Sequence, residues 1–592
     1  MTGLPIGNMM PGMKPSILAL VFATGLLGAC SPAPAPAPPA APFSVVEATI
    51  PDMQKAMQEG RVTSRQIVEQ YLVRIALYND QLNAVITVNP KALQEADRLD
   101  QERKAGKVRG SLHGIPIALK DNIHTTDLRT TGGAIAFENL VPPYDATLTK
   151  NLREAGAVII AKTTLTELAN FVTNGMPGNY NAVAGYAMNP YDPRRDPRPA
   201  TADGRPVLNT GGSSSGGGTA ANFWAANVGS ETSGSILSPA NQNMLAGIKP
   251  TVGRISRYGV IPITADQDTA GPMAKSVTDA AILFGALEGA SPDANDAATT
   301  TCQAPPNRDY TPFLKREGLK GARIGIPRAN YYNSITLPGA KEPRGGLNEA
   351  QAKSMADAIE ILRKEGATIV DADIPSVVDQ DPKNNFLLWG GACDTGPRDP
   401  NCSSVLWYGM KRDFNAWLAS LGPSAPVKTL AELRAFNTAH ANRSAIKYGQ
   451  TNLDNSDLLD LEKDRAKWQA DRDKDIRLAA THGIDEVMKA QKLDALLFPG
   501  ASGAGIAAKP GYPTVIVPFG LFVPQPPPAG PPAGPTAGAA PAPNPYPEGF
   551  KLAPAPYGVS FTGMACSEPR LIELAYAFEQ ASKRRVPPPS AP

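Results

Sequence analysis

Two serine-rich segments, Gly211-Gly-Ser-Ser-Ser-Gly-Gly-Gly218 and Gly229-Ser-Glu-Thr-Ser-Gly-Ser-Ile-Leu-Ser-Pro239, decide how this sequence is interpreted. Glycine–serine runs on their own usually form flexible linkers. The stretch between these two, Ala220-Ala-Asn-Phe-Trp-Ala-Ala-Asn-Val228, is apolar and typical of buried chain, so a linker is disfavoured. A phosphate-binding loop is also disfavoured, because no Gly-Lys-Ser/Thr follows the glycines.

The first segment also fits a different serine motif. Gly212-Ser-Ser-Ser-Gly216 matches the G-x-S-x-G elbow of α/β-hydrolases, in which Ser214 would be the nucleophile of an esterase. That motif requires a buried strand directly before it. The preceding residues 194–204 are rich in arginine, proline and aspartate and are typical of a loop. The esterase is therefore kept as an alternative only.

The surrounding chain alternates between strand and helix patterns. The runs Ile115–Leu119 and Ala157–Ala161 are short and apolar, and residues 145–155 between them have helical spacing, which predicts parallel strands joined by a crossover helix. The same alternation returns over residues 323–370. Further strands are predicted at 493–498, 514–517 and 557–561, and a last helix at 569–582 begins behind Ser567 as its N-cap. The fold class is α/β.

Outside this alternation the chain has four distinctive parts. Residues 1–30 have the form of a signal peptide, and residues 31–44 form a Pro/Ala-rich tether. The folded region is a single domain over residues 45–590. Within it, residues 379–492 are predicted to be a helical insertion, and residues 524–547 an exposed Pro-rich loop without fixed structure.

Several motifs, in a fixed order, resemble the amidase signature family from about Val45 to Pro587. They are the two serine-rich segments and the stretches Gly114-Ile-Pro-Ile-Ala-Leu-Lys-Asp-Asn122, Gly247-Ile-Lys-Pro-Thr-Val-Gly-Arg-Ile-Ser256 and Gln267-Asp-Thr-Ala-Gly-Pro-Met273. The branch looks nearest to bacterial peptide amidases rather than to the amidotransferases that act on glutamyl-tRNA. The resemblance implies a large mixed β-sheet covered by helices on both faces.

The resemblance also implies a Lys–Ser–Ser catalytic set that hydrolyses amide bonds. Lys120 matches the base, Ser213 the bridging serine and Ser235 the nucleophile that forms an acyl-enzyme. The interval between the two serines is shorter than is usual in the family, which leaves Ser214 as a second candidate for the bridge. The resemblance also implies an oxyanion hole, formed here by the backbone N–H groups of Thr232, Ser233 and Gly234.

The chemistry of these residue types agrees with that assignment. A serine hydroxyl is a weak nucleophile at neutral pH and needs a base within hydrogen-bond distance. A lysine can act as that base only when neutral, so its pKa must fall from about 10.4 towards about 8. Lys120 ends an apolar run, where desolvation lowers the pKa of an amine. The alternative to an enzyme is a binding protein that has the same scaffold but no catalytic activity.

The N-terminus is predicted to direct export and anchoring. Lys14 precedes an apolar run from Ile17 to Ala29, which has the length of a signal-peptide core and is too short to span a bilayer. The run ends in Leu-Gly-Ala-Cys30, which resembles a bacterial lipobox, so Cys30 is the predicted lipidation site. The expected location is the cell envelope, periplasmic or outer-membrane, with the membrane contacted through the lipid alone.

Composition excludes other partners and cofactors. The net charge is +2 and no long basic run occurs, so nucleic acid is not an expected partner. The four histidines are scattered and no CxxC pair occurs, so neither a metal nor another cofactor is predicted. In an oxidising compartment Cys393 and Cys402, which bracket a short loop, are candidates for a disulfide. The expected substrate is a small-molecule or peptide amide.

Overall fold

The computed structural model describes residues 42–201, 203–212, 215–389, 396–524 and 546–592. Residues Phe43–Pro592 belong to one compact unit. Several predicted features lie outside the described residues, namely the signal, most of the tether and of the Pro-rich loop, and the side chains Cys30, Ser213, Ser214 and Cys393.

A large mixed sheet forms the centre of the fold, with the strand order β1-β3-β2-β6-β8-β7-β14-β15-β13-β9-β12. Two small hairpins, β4–β5 and β10–β11, lie apart from it. The strands are β1 (Val85–Val88), β2 (Pro116–Lys120), β3 (Val158–Thr163), β4 (Tyr180–Asn181), β5 (Gly185–Tyr186), β6 (Ala226–Glu231), β7 (Ala246–Lys249), β8 (Thr269–Ala274), β9 (Arg323–Ile326), β10 (Ser334–Ile335), β11 (Arg344–Gly345), β12 (Thr368–Asp371), β13 (Ala495–Pro499), β14 (Thr514–Phe522) and β15 (Ala555–Thr562).

Helices flank this sheet. In the described part of the chain they are α1 (Ile50–Gln58), α2 (Ser64–Leu82), α3 (Ala92–Lys104), α4 (Thr147–Glu154), α5 (Ser215–Ala220), α6 (Leu237–Gln242), α7 (Val277–Leu287), α8 (Glu349–Lys364), α9 (Pro375–Val378), α10 (Phe386–Trp389), α11 (Val405–Ser420), α12 (Leu430–Ala439), α13 (Thr451–Asp457), α14 (Arg465–Ile476), α15 (Asp485–Gln491), α16 (Ala504–Ala508) and α17 (Glu568–Ser582). None of these helices is both long and apolar enough to cross a membrane.

The predicted crossover unit is confirmed. Strand β2 is parallel to β3 on one side and to β6 on the other, with Ile117 opposite Ile159 and Ala226. Every residue of β2 is buried, which explains its continuous apolar pattern, because a parallel strand between two neighbours is covered on both faces. This central position carries Lys120, the last residue of β2, into the interior.

The helix-start signals were only partly correct. Helix α2 begins behind Thr63 with the capping box that the sequence Thr63-Ser-Arg-Gln66 predicts, in which the Thr63 side chain accepts from the backbone of Gln66. Helix α17 does begin after Ser567, but the Ser567 side chain makes no capping bond to that helix. Its hydroxyl instead donates to the Met564 carbonyl, because the turn before the helix brings that acceptor within 2.7 Å.

Candidate active site

Lys120 is a completely buried lysine at the carboxyl end of β2. Its Nζ atom donates to the backbone oxygen of Ser230 at 3.1 Å and to the Ser230 hydroxyl at 3.0 Å. Burial lowers the pKa of Lys120 to about 7, against the opposing effect of the Asp268 and Glu231 charges, which raise it. The amine is therefore available in its neutral, proton-accepting form near neutral pH, as general-base chemistry requires.

Ser230 was not identified from the sequence, although it contacts the predicted base. It lies near the end of β6, which neighbours β2 in the sheet, and its hydroxyl also accepts from Asn122 Nδ2 at 2.9 Å. Two residues of the Lys120 stretch therefore converge on one serine of the second serine-rich segment. The role of Ser230 depends on the pairing of β2 with β6, and the sequence does not show that pairing. Its place in the second serine-rich segment was the one available signal.

Ser235 follows β6 after a tight turn and is half-buried. Glu231 holds this turn, because its Oε2 atom accepts from the backbone of Ile236 at 2.7 Å and of Leu237 at 3.0 Å. Gly234 adopts a φ of +99°, a conformation that favours glycine. The turn thus depends on a buried carboxylate and on a glycine directly before Ser235.

The two serine-rich segments meet at Ser235. A methyl group placed on Gly212 would lie 2.6 Å from Ser235 Oγ, closer than real contacts allow. A side chain at position 212 would therefore displace this hydroxyl. Ser213 follows Gly212 directly in the chain but, like Ser214, lies outside the described residues, so the assignment of either serine as the bridge stays a prediction.

The turn between β6 and Ser235 supplies backbone donors. Among the described residues, no acceptor takes the backbone N–H groups of Ser233, Gly234 or Ser235. Thr232 is fixed at both ends, since its hydroxyl donates to Asp268 at 2.5 Å and its carbonyl accepts from Gln267 at 3.2 Å. Donors on a held backbone are the arrangement that stabilises an oxyanion.

Asp268 is a second buried group whose role the sequence motifs did not indicate. Besides Thr232 it accepts from the backbone of Ile263 at 2.8 Å and of Thr264 at 2.9 Å. Burial raises the pKa of Asp268 to about 7. This carboxyl therefore connects the turn of the predicted oxyanion hole to the loop after β7.

The G-x-S-x-G elbow lacks its structural context. Residues 203–212, which precede Ser213, form no strand, and their one sheet-like contact is an isolated bridge between Pro206 and Arg195. An α/β-hydrolase elbow needs a strand that ends directly before its nucleophile. The segment leading to Ser214 is therefore unsuited to that motif.

One disulfide was not predicted from the sequence. Cys302 and Cys566 form a disulfide that links two segments 264 residues apart. No sequence pattern indicated this pair, because connectivity cannot be deduced from cysteine spacing. Cys402 is also disulfide-bonded. Because Cys393 lies outside the described residues, its pairing with Cys402 stays a prediction. No cluster of metal-ligating side chains occurs in the described ranges.

The fold defines an amide hydrolase, and the comparison with known proteins agrees. The chain belongs to the amidase family, whose model matches residues 66–571. It is 35% identical over 554 residues to a probable amidase of Arabidopsis thaliana, with 92% of each chain covered.

Solved structures give a similar relationship. The native peptide amidase from Stenotrophomonas maltophilia superposes with a TM-score of 0.74 at 34% identity, covering 92% of this chain and 99% of that one. An amidase family protein from Bacillus anthracis superposes with a TM-score of 0.72 at 30% identity, covering 92% of each chain. The protein is an amide-hydrolysing enzyme with the amidase signature fold, as the sequence motifs predicted.

Proposed function

We propose that this enzyme cleaves amides through an acyl-enzyme on Ser235, with Ser213 as the bridging serine and Lys120 as the base. Support comes first from Lys120, whose buried amine is held by Ser230 and has a pKa lowered to about 7. Further support is the contact between Gly212 and the Ser235 hydroxyl, which brings the residue next to Ser213 against the nucleophile.

The proposed steps balance in atoms and protons. The Ser235 proton passes to Ser213 while the Ser213 proton passes to Lys120 Nζ, and Ser235 Oγ bonds to the substrate carbonyl carbon. The backbone N–H groups of the turn before Ser235 stabilise the resulting oxyanion. Lys120 returns its proton through Ser213 to the departing nitrogen as the C–N bond breaks. Water then attacks the ester by the same proton path and releases the acid.

A matched pair of serine variants tests the nucleophile. Ser235→Ala should abolish acylation, whereas Ser334→Ala, which changes an exposed serine of the separate β10–β11 hairpin, should retain the activity of the parent. Turnover should be measured as the release of ammonia from simple amides. Retained turnover in Ser235→Ala would contradict the proposal.

For the substrate class we propose peptide amides. Support comes from the peptide amidase of Stenotrophomonas maltophilia, because nearly all of that chain aligns with this one at 34% identity. Mass spectrometry of a panel that contains peptide amides, simple amides and esters would measure the preference. A higher kcat/KM for simple amides than for every peptide amide would favour a broad amidase instead.

We also propose that the protein is exported and anchored through lipid on Cys30. The apolar run before Leu-Gly-Ala-Cys30 supports this, and so do the disulfides of Cys302 with Cys566 and of Cys402, since disulfides persist in oxidising compartments. Cys30→Ala should move the protein out of the membrane fraction or block its processing. Unchanged fractionation of the variant would overturn the anchor but not the amidase activity.

A further inference from the structure

A cavity of about 290 Å³ lies next to residues that contact Lys120 or belong to the turn before Ser235. Its lining includes Ser230, which holds Lys120, and Thr232, which begins the oxyanion turn. Pockets for drug-sized ligands start at roughly 300 Å³. The volume therefore suits one substituent of a substrate rather than a whole molecule.

Three segments that are distant in sequence build the cavity walls. Tyr144 and Tyr258 stack with their ring centroids 4.7 Å apart, and apolar residues of the loop after β7, Val260–Ile263, line the cavity next to them. The third segment is helix α11, which belongs to the predicted helical insertion and contributes Asp413, Ala416, Trp417 and Ser420. The insertion therefore forms one wall of the cavity.

Contacts with His124 and Phe137 fix the position of Trp417. Its indole nitrogen donates to His124 Nε2 at 2.8 Å, and its ring meets Phe137 edge-on at 5.2 Å between centroids. Burial lowers the pKa of His124 to about 3, so this imidazole is neutral and can accept the bond. The hydroxyl groups of Tyr144 and Ser420 lie 2.6 Å apart and join the aromatic wall to α11.

The charged groups that line the cavity already have partners. Arg257 forms an ion pair with Asp296 at 2.5 Å, and Asp413 accepts from Arg412 at 2.7 Å. Asp268 is occupied by one hydroxyl and two backbone N–H groups. An anionic substituent would gain no free counter-charge here, and an ammonium group would meet only Asp268, whose carboxyl already accepts from those three donors. Either charge would therefore be desolvated at a cost.

We infer that this cavity receives an uncharged aromatic or branched apolar substituent of the amide substrate, and that helix α11 limits its size. The inference rests on the proposed chemistry at Ser235. It adds a substrate class, namely amides with one bulky neutral group next to the bond that is cleaved.

Ala416 and Ala419 provide a matched pair of positions for the test. Both are exposed alanines in α11, but only Ala416 lines the cavity. Ala416→Phe should fill the cavity, whereas Ala419→Phe adds the same ring outside it. Hydrophobic pockets discriminate by about 10- to 200-fold per methylene-sized change, so the block by a ring should be at least tenfold.

The measurement is kcat/KM on two substrate series. One series varies the acyl side, from N-acetylglycine amide to N-acetylphenylalanine amide and N-acetyllysine amide, and the other varies the amine side, from N-methyl to N-benzyl acetamide. The parent enzyme should prefer the phenyl member of one series, and that series identifies which side of the bond enters. In Ala416→Phe, kcat/KM for the preferred phenyl member should fall at least tenfold, whereas kcat/KM for the small amides should be retained. Ala419→Phe should behave like the parent.

Two results would overturn the inference. One is a parent enzyme that prefers the charged or the smallest member in both series. The other is an equal effect of Ala416→Phe on all amides, including the small ones. Ala416→Val, a smaller change, should show a weaker form of the same selectivity if Ala416→Phe folds poorly. Failure of the proposed function is distinguishable, because then the parent itself would form no acyl-enzyme.

Discussion

Lys120 Nζ and Ser230 Oγ lie 3.0 Å apart, and this contact joins the ends of two parallel neighbouring strands. Asp268 and Glu231 are the charged groups that act on this amine, and both oppose the loss of its proton. Burial outweighs them and brings the pKa of Lys120 to about 7. Under the proposed mechanism, activity therefore depends on the protonation of this one nitrogen.

The first prediction is a pH profile. Because neutral Lys120 is the working form, kcat/KM should rise with pH through about 7 and then level off. The buried Asp268 carboxylate raises the pKa of Lys120, so Asp268→Asn should move the midpoint of the profile to lower pH. Profiles of both enzymes on one neutral amide measure this. A midpoint that moves to higher pH in Asp268→Asn would contradict the assignment.

The second prediction concerns stability. In the unfolded chain a lysine keeps its proton up to about pH 10.4, but folded Lys120 loses its proton near pH 7. Between these values the unfolded state binds more protons at this residue, so its contribution to the free energy of unfolding rises with pH, by about 1.4 kcal/mol per unit. Lys120→Met should therefore be inactive, and its stability advantage over the parent should be largest below pH 7 and shrink towards pH 10.

Denaturant unfolding at several pH values between 7 and 10 would measure that trend. The matched control is Lys364→Met, because the side chain of Lys364 is 71% exposed at the end of α8 and has little desolvation to relieve. A constant difference between Lys120→Met and the parent across this range would mean that folded Lys120 titrates like an exposed lysine.

Much of the fold and part of the site could be predicted from sequence, for a physical reason. Lys120 and Ser235 lie in contiguous motifs whose apolar and glycine patterns are local, so the chain carries their signal directly. The role of Ser230 depends on β2 pairing with β6, and that of Asp268 on a loop that folds back to Thr232. Such contacts are set by tertiary pairing, which no short pattern encodes.

Two other features escaped prediction for related reasons. The Cys302–Cys566 disulfide joins segments far apart in sequence, and spacing cannot reveal connectivity. The sequence of residues 379–492 predicted helices, but it did not indicate that Trp417 would line the same cavity as Ser230. Both features depend on where these residues lie in the fold rather than on their residue types.

The third prediction uses Gly212. Gly212→Ala should reduce turnover by about hundredfold, because its methyl group would displace the Ser235 hydroxyl, which lies 2.6 Å from that position. Gly217→Ala is the control, since a methyl there would meet Pro190 at an ordinary 3.5 Å. Steady-state kinetics and melting temperatures should be compared. Equal activity of the two variants would show that the contact with Ser235 has no catalytic consequence.

The fourth prediction concerns the disulfide. Replacing both Cys302 and Cys566 by serine should lower the free energy of unfolding by about 2–5 kcal/mol, because the bond closes a long loop in the unfolded chain. Reduction of the parent should have a similar effect, and the double variant should be less sensitive to reductant than the parent is. Equal melting temperatures for the parent and the double variant would contradict a stabilising role.

The last prediction distinguishes the three serines of the site. A fluorophosphonate probe forms a covalent bond with an activated serine, and peptide mapping then identifies the labelled residue. Label should appear on Ser235 and disappear in Ser235→Ala, and also fall strongly in Lys120→Ala, because the members of such a set act as a unit. The bridging serine is identified by comparing Ser213→Ala with Ser214→Ala, because its loss should slow labelling more. We expect the slower variant to be Ser213→Ala. Label on Ser214 that persists in Ser235→Ala would instead establish the esterase elbow, whose preceding strand is missing from residues 203–212.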